Sequence, residues 1–295
     1  MLQEVVTGLK IRPNGRYVDC TFGRGGHTSA ILAELNADGR IVAFDRDESA
    51  IAARLDLAQD PRVTLIHQPF SRADVELIGL GWAGQVDGIL MDLGVSSPQL
   101  DDPQRGFSFR ADGPLDMRMD RSCGEPAATW LKNASEAQIR ECLWENGEER
   151  MARKIAAKIC AVRVQTPIQS TRQLAGLVAS LVRHDHRIDP ATRTFQALRI
   201  LVNDELNELR FGLEKLLDML AITGRILTLS FHSLEDRIVK RFFRDTARDS
   251  NEPGIRRREK EFQLLFRKAL FADETELAAN PRARSARLRG LERVR

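Results

Sequence analysis

Four short apolar runs punctuate the first hundred residues, and each is followed by an amphipathic stretch: Tyr17 to Cys20, Ile41 to Phe44, Val63 to His67 and Val86 to Met91. Strand-length runs that alternate with helical periodicity bury both faces of a sheet only when the strands are parallel and the helices cross over between them. Helices are predicted at His27 to Leu35, Glu48 to Leu57 and Ser71 to Leu80. The connecting loops are short enough for consecutive βα units.

From Asp101 the alternation stops. A loop containing Gly, Asp and Met, Gly106 to Asp120, leads into helical periodicity without strands as far as about Leu201. Ser135 with Gln138 can form a capping box for a helix running to Trp144, and Glu148 to Val164 and Ser170 to Val182 read as further amphipathic helices. A long helix from about Asp204 to Leu220, ended by Gly224, then leads into a strand at Arg225 to Ser230 that rejoins the sheet. Beyond a helix at Leu234 to Arg248 and a loop with Pro253-Gly254, the apolar runs around Leu264 to Phe266 and Leu288 to Leu291 suit antiparallel edge strands. The expectation is a Rossmann-like α/β domain in two pieces, 1–103 and 203–295, around an inserted all-helical domain, 104–202. At 295 residues the chain is long for one ordinary domain, which agrees.

Nothing approaches the unbroken apolar length of a membrane span, and Met1 to Gly8 carries Glu4 without the pattern of a secretory signal. The cysteines at 20, 123, 142 and 160 form no C-x-x-C pair. A cytoplasmic protein with core thiols, and without disulfides or structural zinc, is expected. His184 and His186 flank Asp185 but lack a closed ligand set, so no metal is predicted. The net charge of +3 conceals an asymmetry: up to Asp236 there are 28 Lys and Arg against 33 Asp and Glu, and from Arg237 onward 17 against 9. The basic tail, with Arg256 to Arg258 and Arg282, Arg284, Arg287 and Arg289, suits a polyanion such as RNA or a merely solvated surface.

The first strand runs into Asp19-Cys20-Thr21-Phe22-Gly23-Arg24-Gly25-Gly26-His27, an acid at the strand end followed by a glycine turn that opens a helix. Open α/β sheets bind ligands at the carboxyl ends of their strands, where glycines let backbone approach the ligand. The second strand ends in Asp45, at the spacing of an acid that accepts from ribose hydroxyls. In a dinucleotide fingerprint counted from Gly23 the third glycine would fall on Thr28, which disfavours NAD and leaves S-adenosylmethionine as the alternative nucleotide-like cofactor. Phe70, after the third strand, can lie against an adenine or belong to the core.

The fourth strand runs into Asp92-Leu93-Gly94-Val95-Ser96-Ser97-Pro98-Gln99-Leu100. Ser97-Pro98 resembles the first half of the Asn/Asp/Ser-Pro-Pro-aromatic motif of amino-group methyltransferases, with Gln99 and Leu100 in place of the second proline and the aromatic. Together with Thr21 to His27, this segment, Arg105 to Phe109, Gly113 to Asp120, Ala191 to Arg199 and Ser230 to Arg237 closely resemble the bacterial ribosomal RNA small-subunit methyltransferase H family, also called MraW, over nearly the whole length. The start, Met1-Leu2-Gln3-Glu4, lacks the family's short His-containing lead-in.

The resemblance implies N4-methylation of a cytidine in the decoding centre of 16S rRNA, with S-adenosylmethionine as donor. It places cofactor contacts on Gly25, Gly26, His27, Asp45, Phe70, Asp92 and Gln99, implies a helical domain inserted in the methyltransferase domain, and allows a homodimer. Cytosine N4 is a poor nucleophile, so acceptors from Asp92, Ser97 or the backbone around Pro98 are expected to orient it. Arg105 to Phe109 is the candidate loop for an unstacked base. His232 either faces the same cleft or satisfies a loop. Met117, Met119, Phe107 and Phe109 read as packing residues. A non-catalytic RNA-binding assembly factor and a different enzyme on the same sheet are the competing readings.

Overall fold

The structure, a computed structural model, describes residues 1–181, 189–248 and 261–295. His184 to His186, Pro253-Gly254 and Arg256 to Arg258 lie outside the described residues. The chain forms two units, residues 1–94 with 206–295, and residues 95–205.

In chain order, the first unit opens with α1 (Leu2–Leu9), β1 (Arg16–Asp19), α2 (Gly26–Glu34), β2 (Arg40–Asp45), α3 (Glu48–Ala52), α4 (Leu55–Ala58), β3 (Val63–His67), α5 (Ala73–Gly79) and β4 (Val86–Asp92). The helical unit follows with α6 (Ser97–Asp101), α7 (Ala127–Asn133), α8 (Glu136–Glu145), α9 (Ala152–Arg163), α10 (Thr171–Ala179) and α11 (Thr192–Asn203). α12 (Glu205–Leu217) leads back to β5 (Leu220–Ser230), α13 (Ser233–Thr246), β6 (Phe262–Leu264), α14 (Glu274–Ala279) and β7 (Arg287–Arg293).

Among the described residues seven strands make one sheet in the order β3-β2-β1-β4-β5-β7-β6. β1 to β5 pair in parallel, while β7 runs antiparallel to both β5 and β6. Strand order reverses between β1 and β4, the place where open α/β sheets leave a crevice beyond their carboxyl ends. Val18, Val42, Phe44, Ile89, Met91 and Ile226 belong to one buried cluster of the sheet, and Tyr17, Ile41, Ala43, Leu90, Leu227 and Leu229 to a second, so neighbouring residues of each strand alternate between the two cores. The helical unit has its own core, in which Leu131, Ile139, Leu143, Ile155, Ile159, Leu174 and Leu198 are buried. Among the described residues no helix is long and apolar enough to cross a membrane.

Several local readings change. The stretch read as one helix at 48–57 is two, because Arg54 leaves helical geometry (φ −131°) while its guanidinium holds Asp56 and the Arg24 carbonyl. α12 stops at Leu217 and not at Leu220, which already opens β5, and Gly224 does not end the helix but lies inside β5, where a Cβ would stand 2.6 Å from the Val86 carbonyl. The helical unit begins at Val95 and not at 104, because Val95 and Leu100 pack against its core. Of the four cysteines, Cys20 and Cys142 are buried, Cys160 is half-buried and Cys123 is exposed, so Cys123 is no core thiol.

Candidate active site

β2, β1 and β4 are neighbours in the sheet, and each ends in an aspartate: Asp45, Asp19 and Asp92. The three differ in what they are free to do. Asp19 is fully buried, its Oδ2 accepting from the Thr28 hydroxyl at 2.7 Å and its Oδ1 from the Thr21 N–H at 3.1 Å. Burial raises its pKa, and these hydrogen bonds oppose the shift. It ties the end of β1 to the first turn of α2.

Asp45 is half-buried, and its carboxylate accepts from Gly23 N–H at 2.7 Å and Asp47 N–H at 2.8 Å. Burial pushes its pKa up to about 6 against the pull of both bonds. Each oxygen keeps a lone pair for a hydroxyl donor. The glycine turn that supplies the Gly23 N–H also starts α2. Gly25 is the N-cap, with φ +69° and no side-chain cap; the Thr28 N–H of the first turn serves Asp19, and those of Gly26 and His27 are the ones an anion can meet. A Cβ on Gly25 would come within 2.9 Å of Leu57 and Phe22, whereas one on Gly26 would meet only open space. The turn is therefore packed behind and open in front.

His27 and Asp92 close the group. His27 Nδ1 lies 3.4 Å from Asp92 Oδ2, while the buried His27 Nε2 and Asp92 Oδ1 have no hydrogen-bond partner among the described residues. Burial lowers the His27 pKa, with Asp92 opposing. Burial pushes Asp92 up to about 6, with His27 opposing. The Asp92 N–H donates to Thr21 Oγ1 at 2.7 Å, which fixes the strand end. Two residues in contact, one in the first turn of α2 and one at the end of β4, that each keep a buried polar atom without a partner among the described residues have the character of a binding site for a polar ligand. Phe70 opens the 3₁₀ turn after β3, half-buried, with its ring against Gly212 of α12.

The structure thus brings Gly25, Gly26, His27, Asp45 and Asp92 to the carboxyl ends of adjacent strands. Ser97 and Gln99 belong to the helical unit. Ser97 is exposed at the start of α6, and Gln99 is buried, its Oε1 accepting from the Ser96 N–H at 2.9 Å in a capping box.

Other candidates move. The Arg105 guanidinium is buried and donates to the carbonyls of Arg118 and Met119 at 3.0 and 2.8 Å, Phe107 is buried, and Phe109 packs edge-on to Phe195. That loop is sewn into the helical unit and is a poor receptor for a base. His232 is the N-cap of α13, its Nε2 3.0 Å from Glu235 Oε1, which makes it a helix-capping residue. Within the basic tail, Arg287 and Arg289 both hold Asp236 at 2.7 Å, so they serve the fold before any polyanion. Thr28 and Thr21, the side chains that fix Asp19 and Asp92, were not singled out from sequence as holding residues, because a threonine in a glycine turn carries no distinct pattern.

A model of the MraW methylase family matches residues 1–294. The chain belongs to the MraW methylase family. It is 52% identical over 301 residues to the ribosomal RNA small subunit methyltransferase H of Chromobacterium violaceum, covering all of this chain and 94% of the relative. The protein of the same name from Azoarcus sp. is 53% identical over 300 residues, with 99% and 95% covered. A solved structure titled as a putative rRNA-methylase from Clostridium thermocellum superposes with a TM-score of 0.48 at 14% identity, covering 99% of this chain and 95% of that one. Methyl transfer is therefore the activity class of the family, and Asp45, Asp92 and the α2 turn fall within the matched span.

Proposed function

We propose that this protein transfers a methyl group from S-adenosyl-L-methionine to N4 of a cytidine in the decoding centre of 16S rRNA. Family membership and the shared name of the relatives support methylation of small-subunit ribosomal RNA. The nucleoside and atom are the finer part of the reading. The observation that carries it is the pair of buried, partnerless atoms, His27 Nε2 and Asp92 Oδ1, beside an uncapped helix start at the sheet's switch point.

The residues present fit the donor. Asp45 has acceptor capacity for both ribose hydroxyls, the uncapped first turn of α2 suits a carboxylate, and Phe70 offers a ring face for adenine. When bound, S-adenosyl-L-methionine supplies a methyl group activated by a positively charged sulfur.

Everything else falls to this chain. Delocalisation into the ring makes the exocyclic amine of cytosine weakly nucleophilic, so a hydrogen-bond acceptor fixed on its N–H localises the lone pair and aims it. Asp92 Oδ1 is such an acceptor, with its backbone held by Thr21 and its other oxygen facing His27. Its raised pKa makes it a stronger base than an ordinary carboxylate, suited to taking the proton the amine sheds. Ser97 stays a second candidate acceptor.

The test is incubation with methyl-labelled S-adenosyl-L-methionine and small ribosomal subunits from a strain lacking the modification, followed by digestion to nucleosides. Label in N4-methylcytidine supports the reading. Label in another nucleoside overturns the atom and base, and binding of the donor without transfer favours a non-catalytic assembly factor.

A further inference from the structure

α12 returns the chain to the sheet, and three of its residues, at positions 208, 212 and 215, recur at the spacing of one helical face. All three touch the turn that carries Phe70. Glu208 Oε1 accepts from the Ser71 hydroxyl at 2.7 Å, and its Oε2 lies 3.4 Å from the Ser71 N–H. Lys215 Nζ donates to the Ser71 carbonyl at 2.8 Å and reaches Asp74 at 3.4 Å. Between them, Gly212 leaves the room that the Phe70 ring occupies: a Cβ there would stand 2.5 and 2.6 Å from Phe70 Cδ2 and Cε2, and 3.3 Å from Met91 Cε.

We propose that this face of α12 positions Phe70, with Gly212 setting the depth of the ring and Glu208 and Lys215 clamping the turn through both polar edges of Ser71, and that it thereby sets the affinity for the adenine of the methyl donor. The inference rests on the reading of Phe70 as an adenine contact. Gly212 is a positioning residue: it touches the ring and not the reacting atoms. Its lack of a side chain would otherwise weaken a helix interior, so the close approach of the ring gives a physical reason for a glycine at this place.

The geometry separates two effects. Alanine at 212 drives against an aromatic ring and not against the end of a flexible chain, so the ring must tilt or withdraw. Losing the turn clamp instead loosens Ser71 without touching the ring. Both weaken adenine contact and leave the acceptor atoms at Asp45 and Asp92 in place.

The experiment measures binding of S-adenosylhomocysteine to the full chain by calorimetry for Gly212→Ala, Phe70→Ala and the double variant, with thermal melting to confirm that each folds. Gly212→Ala is expected to weaken binding roughly three- to tenfold, in keeping with displacement of one ring contact. In the Phe70→Ala background the same substitution is expected to have no further effect, since the ring it displaces is gone. Glu208→Ala is expected to weaken binding several-fold while Glu208→Gln, which keeps an acceptor for Ser71, restores it. In turnover with small ribosomal subunits, Gly212→Ala raises KM for the donor and leaves kcat at saturation. If Gly212→Ala weakens binding equally with and without Phe70, or does nothing while Phe70→Ala weakens it, the positioning role is overturned and the adenine reading stands. If Phe70→Ala leaves binding unchanged, the adenine reading fails and the inference with it.

Discussion

The Thr28 hydroxyl donates to Asp19 Oδ2 at 2.7 Å, and through that bond the first turn of α2 is fastened to the end of β1. Thr28 stands where a dinucleotide fold would have its third glycine, and there it supplies a hydroxyl to a fully buried carboxyl. Removing the donor leaves that carboxyl short of a partner in a dry environment. Thr28→Val is expected to destabilise the fold by about 1–3 kcal/mol, and Thr28→Ser to recover most of it. Chemical denaturation of both variants checks this, and equal stability of Thr28→Val and the parent chain would show that the bond contributes nothing net.

Asp92 carries the proposed orientation of the acceptor amine. An amide in its place keeps the shape and the backbone bond to Thr21 but loses the charge and the basicity. Asp92→Asn is expected to lower kcat by about a hundredfold or more, the scale seen when one preorganised polar group is removed from a transition state. Single-turnover methylation of small ribosomal subunits measures it. Near-normal turnover would take Asp92 out of the chemistry and leave Ser97 as the next candidate.

Gly25 holds a left-handed N-cap at φ +69° with Phe22 and Leu57 packed behind it. Gly25→Ala combines backbone strain with a side-chain clash and is expected to cost about 1–3 kcal/mol of stability. Gly26→Ala, whose Cβ meets only open space in the free protein, is expected to leave stability nearly unchanged and to weaken donor binding. Melting temperatures and S-adenosylhomocysteine titrations of the pair separate the two roles. Identical behaviour of both variants would contradict the distinction.

Asp236 is buried between Arg287 and Arg289 and joins α13 to β7. Burial works to raise its pKa, but the two guanidinium groups hold it below the usual carboxylate range. With the folded pKa depressed, the pair's contribution is complete above the unfolded value near 4 and fades as pH falls through the folded one. Asp236→Ala strands a half-buried Arg289, and a loss of about 2–3 kcal/mol is expected, discounted because the Arg287 side chain is 42% exposed. Urea unfolding at pH 7 gives the value, and a change under about 0.5 kcal/mol would mean that solvent replaces the pair.

The sheet was legible because its strands announce themselves twice, by apolar runs of strand length and by the acids that end β1, β2 and β4. The capping box of Ser135 with Gln138 was read in place because its bonds are local. What sequence concealed depends on distant partners. Nothing near Arg105 reveals that its guanidinium meets carbonyls at 118 and 119, and an arginine series such as 287 and 289 looks solvated until Asp236 is found folded against it. Gly212 was invisible for the same reason: a helical glycine has meaning only once the ring from Phe70 is seen to fill its space. The split of the helix at Arg54 and the early end of α12 are boundary effects, where side-chain bonds and sheet register override periodicity.

Asp45 and Asp92 both titrate near pH 6 in the free protein, raised there chiefly by burial, and this gives donor binding a definite pH dependence. A ligand that donates hydrogen bonds to a carboxylate favours its ionised form and so lowers its pKa. Binding then releases protons in the window between the bound and the free pKa. Affinity for S-adenosylhomocysteine is expected to rise as pH increases from 5 through about 6, and to level off above 7 where both carboxylates are already ionised. Stability of the free protein runs the other way. Each folded pKa lies above its unfolded value near 4, so the fold is favoured below that value, and the advantage is lost as pH rises through about 6. Saturating ligand therefore raises the melting temperature more at pH 7.5 than at pH 5.5. Asp45→Asn removes one of the two ionisations and is expected to flatten the affinity profile while weakening binding at pH 7.5. Calorimetric titrations of the parent chain and of Asp45→Asn across this range decide it, and an affinity independent of pH would mean that neither carboxylate faces the ligand.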